Sequence, residues 1–237
     1  MVKIYVIHYT KLTERKEDLI NHFNDNFKMT SQEIEWMVEY DKEKLDDKIL
    51  EKHFILKDFQ DIRWERCGYY CPRPTRRNLK ISEMSICLKH LYTLQKIANS
   101  NDPDSHSIIM EDDIRLHSNF FEKIEEVLAN PQLKEWDIIF PGNPYAISHF
   151  NMEKICEGVY KKGHPSTNGI WLMLIKRGVA QRVFEYVINN KIVLPMDWEY
   201  NWVFKKLDLN VIWLKPGIAE HPDQYECTSH ETNKGPK

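Results

Sequence analysis

Short apolar runs and stretches of helical periodicity alternate along the chain. The first run, "VKIYVIHY" at Val2 to Tyr9, is unbroken and rich in β-branched residues, which predicts a strand buried on both faces of a sheet. Thr13 suits the N-cap of a following helix, because apolar side chains recur around it at helical spacing. These apolar positions are Leu12, Leu19, Ile20 and Phe23. "EIEWMVEY" at Glu33 to Tyr40 then predicts a second strand.

The clearest helix of the chain is predicted near its middle. Residues 41–54 are highly charged and indicate a helix or an irregular segment, and residues 54–78 show no clean period and indicate a loop. The segment "ISEMSICLKHLYTLQKIANS" at residues 81–100 follows, with apolar side chains every three or four positions and Ser82 as the expected cap. Glu83 and His90 are seven residues apart in it, so both project from nearly the same side.

The same alternation continues to the end of the chain. Further strands are predicted at residues 107–110, 135–142, 170–175 and 209–214, with helices at 120–132, after 176 and after Pro195. Strands that alternate with helices are typical of an α/β fold, here one Rossmann-like mixed sheet flanked by helices. No repeat or linker divides the sequence, so we expect a single domain over residues 1–237.

Composition narrows the possible partners and compartments. The formal net charge of -3 and pI near 6.4 give no overall basic field, so we expect no nucleic-acid partner. The apolar run at the start is too short for a signal peptide or a membrane span. The five cysteines form no CxxC pair and are interpreted as reduced thiols, which favours a cytoplasmic protein without a transmembrane segment.

A basic stretch precedes the long helix. "CPRPTRRNLK" places four cations just before it, where they could meet a phosphate or an anionic acceptor or remain a solvated loop. The four are Arg73, Arg76, Arg77 and Lys80.

Three consecutive acidic residues follow a buried strand in "SIIMEDDIRL". Ligands of α/β sheets gather at the carboxyl ends of strands, and Glu111, Asp112 and Asp113 occupy such an end. If the backbone is extended there, Glu111 and Asp113 point to one side and can share a cation, whereas Asp112 points to the other. Carboxylates suit Mg²⁺ or Mn²⁺, which keep positions open for substrate phosphates. Alternatively, the triplet is solvated or caps the next helix.

Several blocks in one order resemble glycosyltransferase family 25, which includes bacterial lipooligosaccharide galactosyltransferases and collagen galactosyltransferase domains. They are "YVIHYTKLTERKE", "SEMSICLKH", "SIIMEDDIRL", "WDIIFPG", "TNGIWLMLIKRGVAQ" and "PMDWEY". The resemblance covers nearly the whole chain. It implies a GT-A fold, a single Rossmann-like sheet that binds a nucleotide sugar and usually a divalent metal.

The resemblance also implies a metal site. Glu111 and Asp113 would hold Mn²⁺ (or Mg²⁺), with Asp112 beside them, and the ion would stabilise the departing nucleoside diphosphate. A late histidine often completes such a site. His221 in "IAEHPDQ" is the candidate and His230 the reserve, although a surface histidine accounts for either position.

Transfer of galactose in the family inverts the sugar's anomeric centre, which requires a base that takes a proton from the acceptor hydroxyl. Asp197 in "PMDWEY" is the candidate base, with Glu199 as the alternative. A helix N-cap is an equally good interpretation of Asp197, because Pro-Met-Asp precedes a helical pattern.

Six positions are expected to contact the nucleotide-sugar donor or to support the metal loop. They are His8, Arg15, Glu83, His90, Asp112 and Asn168. His8 stands where family members commonly carry asparagine. Four of the positions have a simpler interpretation: a charged helix face for Glu83 and His90, pairing with nearby glutamates for Arg15, and a turn for Asn168.

The sequence therefore predicts a glycosyltransferase that moves galactose or glucose from a nucleotide sugar, UDP-galactose or UDP-glucose by resemblance, to a hydroxyl acceptor with inversion. The acceptor would be a glycan, a lipid-linked saccharide or a hydroxylysine. One alternative is a nucleotide-sugar-binding accessory domain without turnover. Another is a metal-dependent phosphohydrolase or nuclease, which would need further carboxylates for a second metal.

Overall fold

A mixed β-sheet forms the centre of the protein. The computed structural model describes residues 2–57, 59–67, 78–102, 105–142, 151–167 and 169–222. The strands within these ranges are β1 (Lys3–Ile7), β2 (Ile34–Met37), β3 (His106–Glu111), β4 (Arg115–Leu116), β5 (Ile138–Phe140), β6 (Met152–Cys156), β7 (Val159–Lys162), β8 (Leu172–Lys176), β9 (Val211–Leu214) and β10 (Ala219–Glu220). Eight of them form one sheet in the order β2-β1-β3-β8-β5-β9-β7-β6, and β4 pairs with β10 in a separate ribbon.

Helices pack on both faces of this sheet. The described ones are α1 (Thr13–Phe27), α2 (Asp47–His53), α3 (Gln60–Cys67), α4 (Ile81–Ala98), α5 (Phe120–Leu128), α6 (Arg177–Asn190) and α7 (Met196–Lys206). Short 3₁₀ turns lie at Ser31–Glu33 and Lys42–Lys44. Within the ranges given above, none of the helices is long and apolar enough to cross a membrane. The α/β class with a mixed sheet between helices is confirmed.

Strand direction determines where the polar residues meet. β1 is parallel to both β2 and β3, and β8 runs antiparallel between β3 and β5. β5 is parallel to β9, so β1, β2, β3, β5 and β9 all point the same way. Their carboxyl ends therefore meet at one edge of the sheet, and the acidic triplet directly after β3 lies beside the end of β1.

The sheet separates two apolar clusters. One contains Leu88 and Leu91 of α4 together with side chains of α6 and α7, and the other contains Phe23 of α1 and Phe120 of α5. Alternate residues of β3 enter opposite clusters, as the period of a strand requires. The apolar stripes noted in the sequence are thus the faces that pack on the sheet.

Some sequence expectations are wrong in detail. α3 lies inside residues 54–78, where a loop was expected. Its inward face carries Arg63 and Arg66, which donate to backbone oxygens of Val193 and Lys191, so it lacks the apolar stripe that predicts a helix. Thr13 is the first helical residue rather than the N-cap, which is Leu12.

Other expectations fail for local reasons. The N-cap of α4 is Lys80 rather than Ser82, and the Lys80 backbone N–H donates to Glu83 Oε2 over 2.6 Å. The hairpin of β6 and β7 was missed, because "MEKIC" in β6 is an edge strand with no buried position and two exposed charged residues at its centre. Of the described cysteines, Cys87 and Cys156 are free thiols. The basic side chains Arg73, Arg76 and Arg77 lie outside the described residues.

Candidate functional site

A cleft opens at the carboxyl edge of β1 and β3, between the first turns of α1 and α4. It encloses about 140 Å³. Its lining residues are Ile7, His8, Tyr9, Leu12, Arg15, Lys42, Ser82, Ser85, Ile86, Lys89, Glu111, Asp112 and Asp113. The fold thus gathers the predicted residues His8 and Arg15 and the acidic triplet around one cavity, as expected for ligand sites of α/β sheets.

The backbone turns immediately after Glu111, where the Ile114 N–H donates to the Glu111 carbonyl over 3.4 Å. The extended geometry assumed from the sequence therefore does not hold. Arg15 Nη1 contacts both aspartates, at 3.0 Å from Asp112 Oδ1 and 3.3 Å from Asp113 Oδ2. Glu111 instead points towards α4. The condition under which Glu111 and Asp113 were expected to share one side is therefore not met, although the two carboxyl groups are close enough to repel each other.

Asp112 is the buried anchor of the triplet. One of its oxygens lies 2.6 Å from His8 Nδ1 and the other accepts from Arg15. All three side chains are buried. The positive charge of Arg15 near the start of α1 is compensated by these aspartates. Burial without such partners would be costly, so the contacts explain how the chain tolerates consecutive acidic residues at a buried edge.

Lys89 forms a second buried network that the sequence analysis missed. Its Nζ donates to Asp41 Oδ1 over 2.6 Å, to the Met37 carbonyl over 3.3 Å and to the His8 carbonyl. Asp41 also accepts from the Thr10 hydroxyl. Burial lowers the pKa of Lys89, and the contact with Asp41 opposes this effect. The network ties the ends of β1 and β2 to α4. Its sequence signal was a lysine between Leu88 and His90 on the packed side of a helix.

Two carboxyl groups of the triplet are poorly solvated. Burial and repulsion from Asp112 raise the pKa of Glu111 to about 7. Burial, together with repulsion from Glu111 and Asp112, raises the pKa of Asp113 to about 6. Asp113 Oδ1 has no hydrogen-bond partner in the described part of the chain. These groups are the ones whose ionised forms a bound cation would stabilise most.

The β4–β10 ribbon brings His221 to the triplet. Ala219 of β10 pairs with Leu116 of β4, only a few residues after Asp113, and His221 follows β10 directly. His221 Nε2 lies 3.4 Å from Asp113 Oδ2. The structure therefore places two of the three predicted metal ligands side by side. The reserve histidine, His230, lies outside the described residues.

The residues present supply suitable ligand atoms for Mn²⁺, although they do not form a closed metal site. Over the described ranges, no group of three or more His, Cys, Asp or Glu side chains is arranged to hold a metal ion. Asp113 offers an unpartnered carboxylate oxygen, and His221 offers an imidazole. Such an open pair fits an ion that takes its other ligands from substrate phosphates.

Asp197 lies close to this region. It is the second residue of α7, whose N-cap is Pro195 without a side-chain cap hydrogen bond, so Asp197 is not the N-cap. Burial raises the pKa of Asp197 to about 6, opposed by the Trp198 backbone N–H and assisted by repulsion from Glu111 and Glu83. The fold therefore brings the predicted base within electrostatic reach of the triplet.

Glu199, the alternative base, does not join this group. It is 1 % exposed, and its Oε2 accepts from the backbone N–H groups of Val193 and Leu194, each over 3.1 Å. Its other oxygen pairs with Arg66 of α3. With both oxygens engaged, Glu199 joins α3 to the start of α7, and these contacts favour a structural role.

The other residues predicted to contact the nucleotide-sugar donor do not line the cleft in the described part of the chain. Glu83 accepts the N-cap hydrogen bond of α4. His90 is fully buried, and burial lowers its pKa to about 3, so the imidazole is neutral. Its Nε2 lies 4.0 Å from Glu111 Oε1. Asn168 lies outside the described residues.

Comparison with known proteins adds no family evidence. The chain matches no protein-family model and no curated protein. Membership of glycosyltransferase family 25 therefore stays a prediction, which rests on the sequence blocks given above.

Proposed function

We propose that the protein is a metal-dependent, inverting glycosyltransferase of the GT-A fold. It would transfer galactose or glucose from a nucleotide diphosphate sugar, UDP-linked by resemblance, to a hydroxyl acceptor. The observation that carries this proposal is that Arg15 and Asp113 line the cleft at the carboxyl edge of β1 and β3, with His221 beside Asp113. Asp197 lies within electrostatic reach of Glu111, which also lines the cleft.

The cleft has the chemical character that a nucleotide requires. Ile7, Leu12 and Ile86 supply apolar wall for a base and ribose, and Lys42 and Arg15 supply positive charge for phosphates. Arg15 offsets one of the two negative charges of Asp112 and Asp113, which leaves negative charge at the turn for a divalent ion that arrives with the diphosphate. In this proposal the nucleoside lies along β1 and α4, and the diphosphate lies against the turn after β3.

The transfer itself needs a base at the acceptor. The acceptor oxygen attacks the anomeric carbon, the bond from that carbon to the phosphate oxygen breaks, and its electron pair leaves with the nucleoside diphosphate. The acceptor proton passes to a carboxylate oxygen of Asp197, whose pKa of about 6 suits a base near neutral pH. Attack from the face opposite the leaving group gives inversion.

Residues of the triplet would stabilise the leaving group. Glu111, Asp113 and His221 are the side chains that would hold Mn²⁺ or Mg²⁺, which when bound supplies Lewis-acid stabilisation of the developing negative charge. Arg15, which contacts Asp113, would add a second positive charge beside the leaving diphosphate. Asp112 acts indirectly, because its contacts with His8 and Arg15 fix the turn.

A donor screen tests the proposal. The folded protein is incubated with Mn²⁺ and a panel of nucleotide sugars, and release of nucleoside diphosphate and heat of binding are measured. We expect binding and slow hydrolysis for uridine diphosphate sugars, both abolished by chelator. Binding that persists without turnover, with Asp197→Asn unchanged, would favour the accessory domain. Hydrolysis of simple phosphate esters with no nucleotide-sugar binding would favour the phosphohydrolase.

A further inference from the structure

Two buried side chains behind the acidic triplet carry polar atoms without partners. His90 of α4 and Tyr200 of α7 are both 0 % exposed. In the described part of the chain, His90 Nδ1, His90 Nε2 and Tyr200 Oη accept and donate no hydrogen bond. Such atoms are rare in folded proteins, because each forfeits its hydrogen bonds to water. Their occurrence in two adjacent residues calls for a common partner.

The geometry shows where that partner would lie. The two rings pack edge to face between α4 and α7 with centroids 5.9 Å apart, so one water could contact both residues. His90 Nε2 is 4.0 Å from Glu111 Oε1, too far for a direct hydrogen bond. A polar separation of this size is commonly bridged by water. A neutral imidazole offers one donor and one acceptor, and a tyrosine hydroxyl offers both, so together they satisfy the needs of a buried water.

We propose that buried water links Tyr200, His90 and Glu111, and that Tyr200 and His90 are positioning residues that fix the Glu111 carboxyl group. The bridging water would fix the Glu111 carboxyl group beside His90 of α4. The effect on metal and donor binding rests on the proposed function, whereas the water network itself does not.

Tyr200→Phe is the decisive variant, because it removes one oxygen and keeps the ring that stacks on Phe204. A buried hydroxyl without a hydrogen-bond partner destabilises the folded state, so its removal would leave thermal stability unchanged or raise it. A hydroxyl that is hydrogen-bonded to a buried water stabilises the folded state, so under our proposal the unfolding midpoint of Tyr200→Phe should fall by about 3 °C. Tyr186→Phe in α6, where the side chain is half-buried outside this cluster, is the matched control and should shift the midpoint by less than about 1 °C.

A crystal structure at high resolution locates the water directly. Density within about 3 Å of His90 Nε2 and Tyr200 Oη supports the proposal. A dry cluster, or a direct hydrogen bond from Glu111 to His90, overturns it, as does a Tyr200→Phe variant as stable as the parent.

The positioning role has its own measurement. Mn²⁺ affinity, followed by the paramagnetic resonance of the free ion, should weaken about tenfold in Tyr200→Phe, as for other residues that orient metal ligands. Unchanged Mn²⁺ affinity in a destabilised variant would overturn the positioning role. If the parent protein binds no Mn²⁺, the proposed function fails, and the density and stability results still decide whether the water network exists.

Discussion

Lys89 Nζ and Asp41 Oδ1 lie 2.6 Å apart, and both side chains are 3 % exposed. The pair joins the middle of α4 to the loop after β2. Through its contacts with the carbonyls of Met37 and His8, Lys89 also closes the ends of two parallel strands at the floor of the cleft. The shape of the candidate site therefore depends on a buried ion pair with no expected part in the chemistry.

Loss of one member of this pair should be costly. Lys89→Met leaves Asp41 buried without its cation, and we expect the free energy of unfolding to fall by about 3–5 kcal/mol. Urea denaturation measures the change. Lys96→Met is the matched control on the same helix, because its contact with Glu35 is largely solvent-exposed and worth about 0–1 kcal/mol. Equal losses for the two variants would contradict a special role for the buried pair.

Asp197→Asn should separate binding from turnover. Asparagine keeps the shape of the side chain but cannot take the acceptor proton, so we expect turnover to fall about 10²- to 10⁴-fold. Uridine diphosphate binding, measured by calorimetry, should stay within about twofold, because an amide removes little ground-state binding. Asp61→Asn on the exposed side of α3 is the control and should leave both unchanged. A fully active Asp197→Asn variant would remove Asp197 from the mechanism.

Glu199→Gln should give the opposite pattern. An amide cannot satisfy both the Arg66 guanidinium and the backbone N–H groups of Val193 and Leu194, so stability should fall by about 3 kcal/mol. Turnover per folded molecule should stay within about threefold. The measurement combines urea denaturation with activity at a temperature where the variant is folded. A stable but inactive variant would reinstate Glu199 as the base.

The sequence predicted most of the sheet and the neighbourhood of the site, because both depend on local signals. Apolar runs locate β1, β3, β8 and β9, and chain order places the triplet at a strand end. The orientation of the triplet was not predictable, because it depends on a turn after Glu111 and on Arg15, which approaches from another element. Lys89 was missed for a similar reason: its partners lie 48 and 81 residues away in the sequence. α3 was not predicted because arginines occupy the inward-facing positions where a helix usually carries apolar side chains.

His221→Ala should weaken metal binding selectively. His221 lies beside Asp113, so loss of its imidazole removes one expected ligand, and we expect Mn²⁺ affinity to fall at least about tenfold. His117→Ala is the control, because His117 is exposed and its Nε2 lies 4.0 Å from Glu220 on the same ribbon. Isothermal titration with Mn²⁺ compares the three proteins. Matching affinities for all of them would exclude His221 as a ligand.

The pH dependence of stability should report the half-buried carboxyl group of Glu111. Its pKa is raised from 4.5 to about 7 in the folded protein, so the folded state binds the proton more tightly than the unfolded state does. The stabilisation that the folded protein gains from protonated Glu111 is complete below the pKa of this group in the unfolded chain and is lost as pH rises through about 7. Five buried or half-buried histidines have lowered pKa values and act in the opposite sense, so the comparison must be made against a variant that differs only at this position.

Glu111→Gln mimics the protonated side chain at every pH. We therefore compare the free energies of unfolding of the variant and the parent protein in the presence of a chelator. The variant's value minus the parent's should rise by about 2 kcal/mol when the pH is raised from 5 to 8. Urea denaturation at the two pH values measures this difference, in which the histidine contributions cancel. Saturating Mn²⁺ should remove most of the gain, because a cation near the turn stabilises the ionised carboxylate of the parent. Parallel pH profiles for the two proteins would show that Glu111 ionises as easily in the fold as in the unfolded chain, and the electrostatic basis for a cation site would be lost.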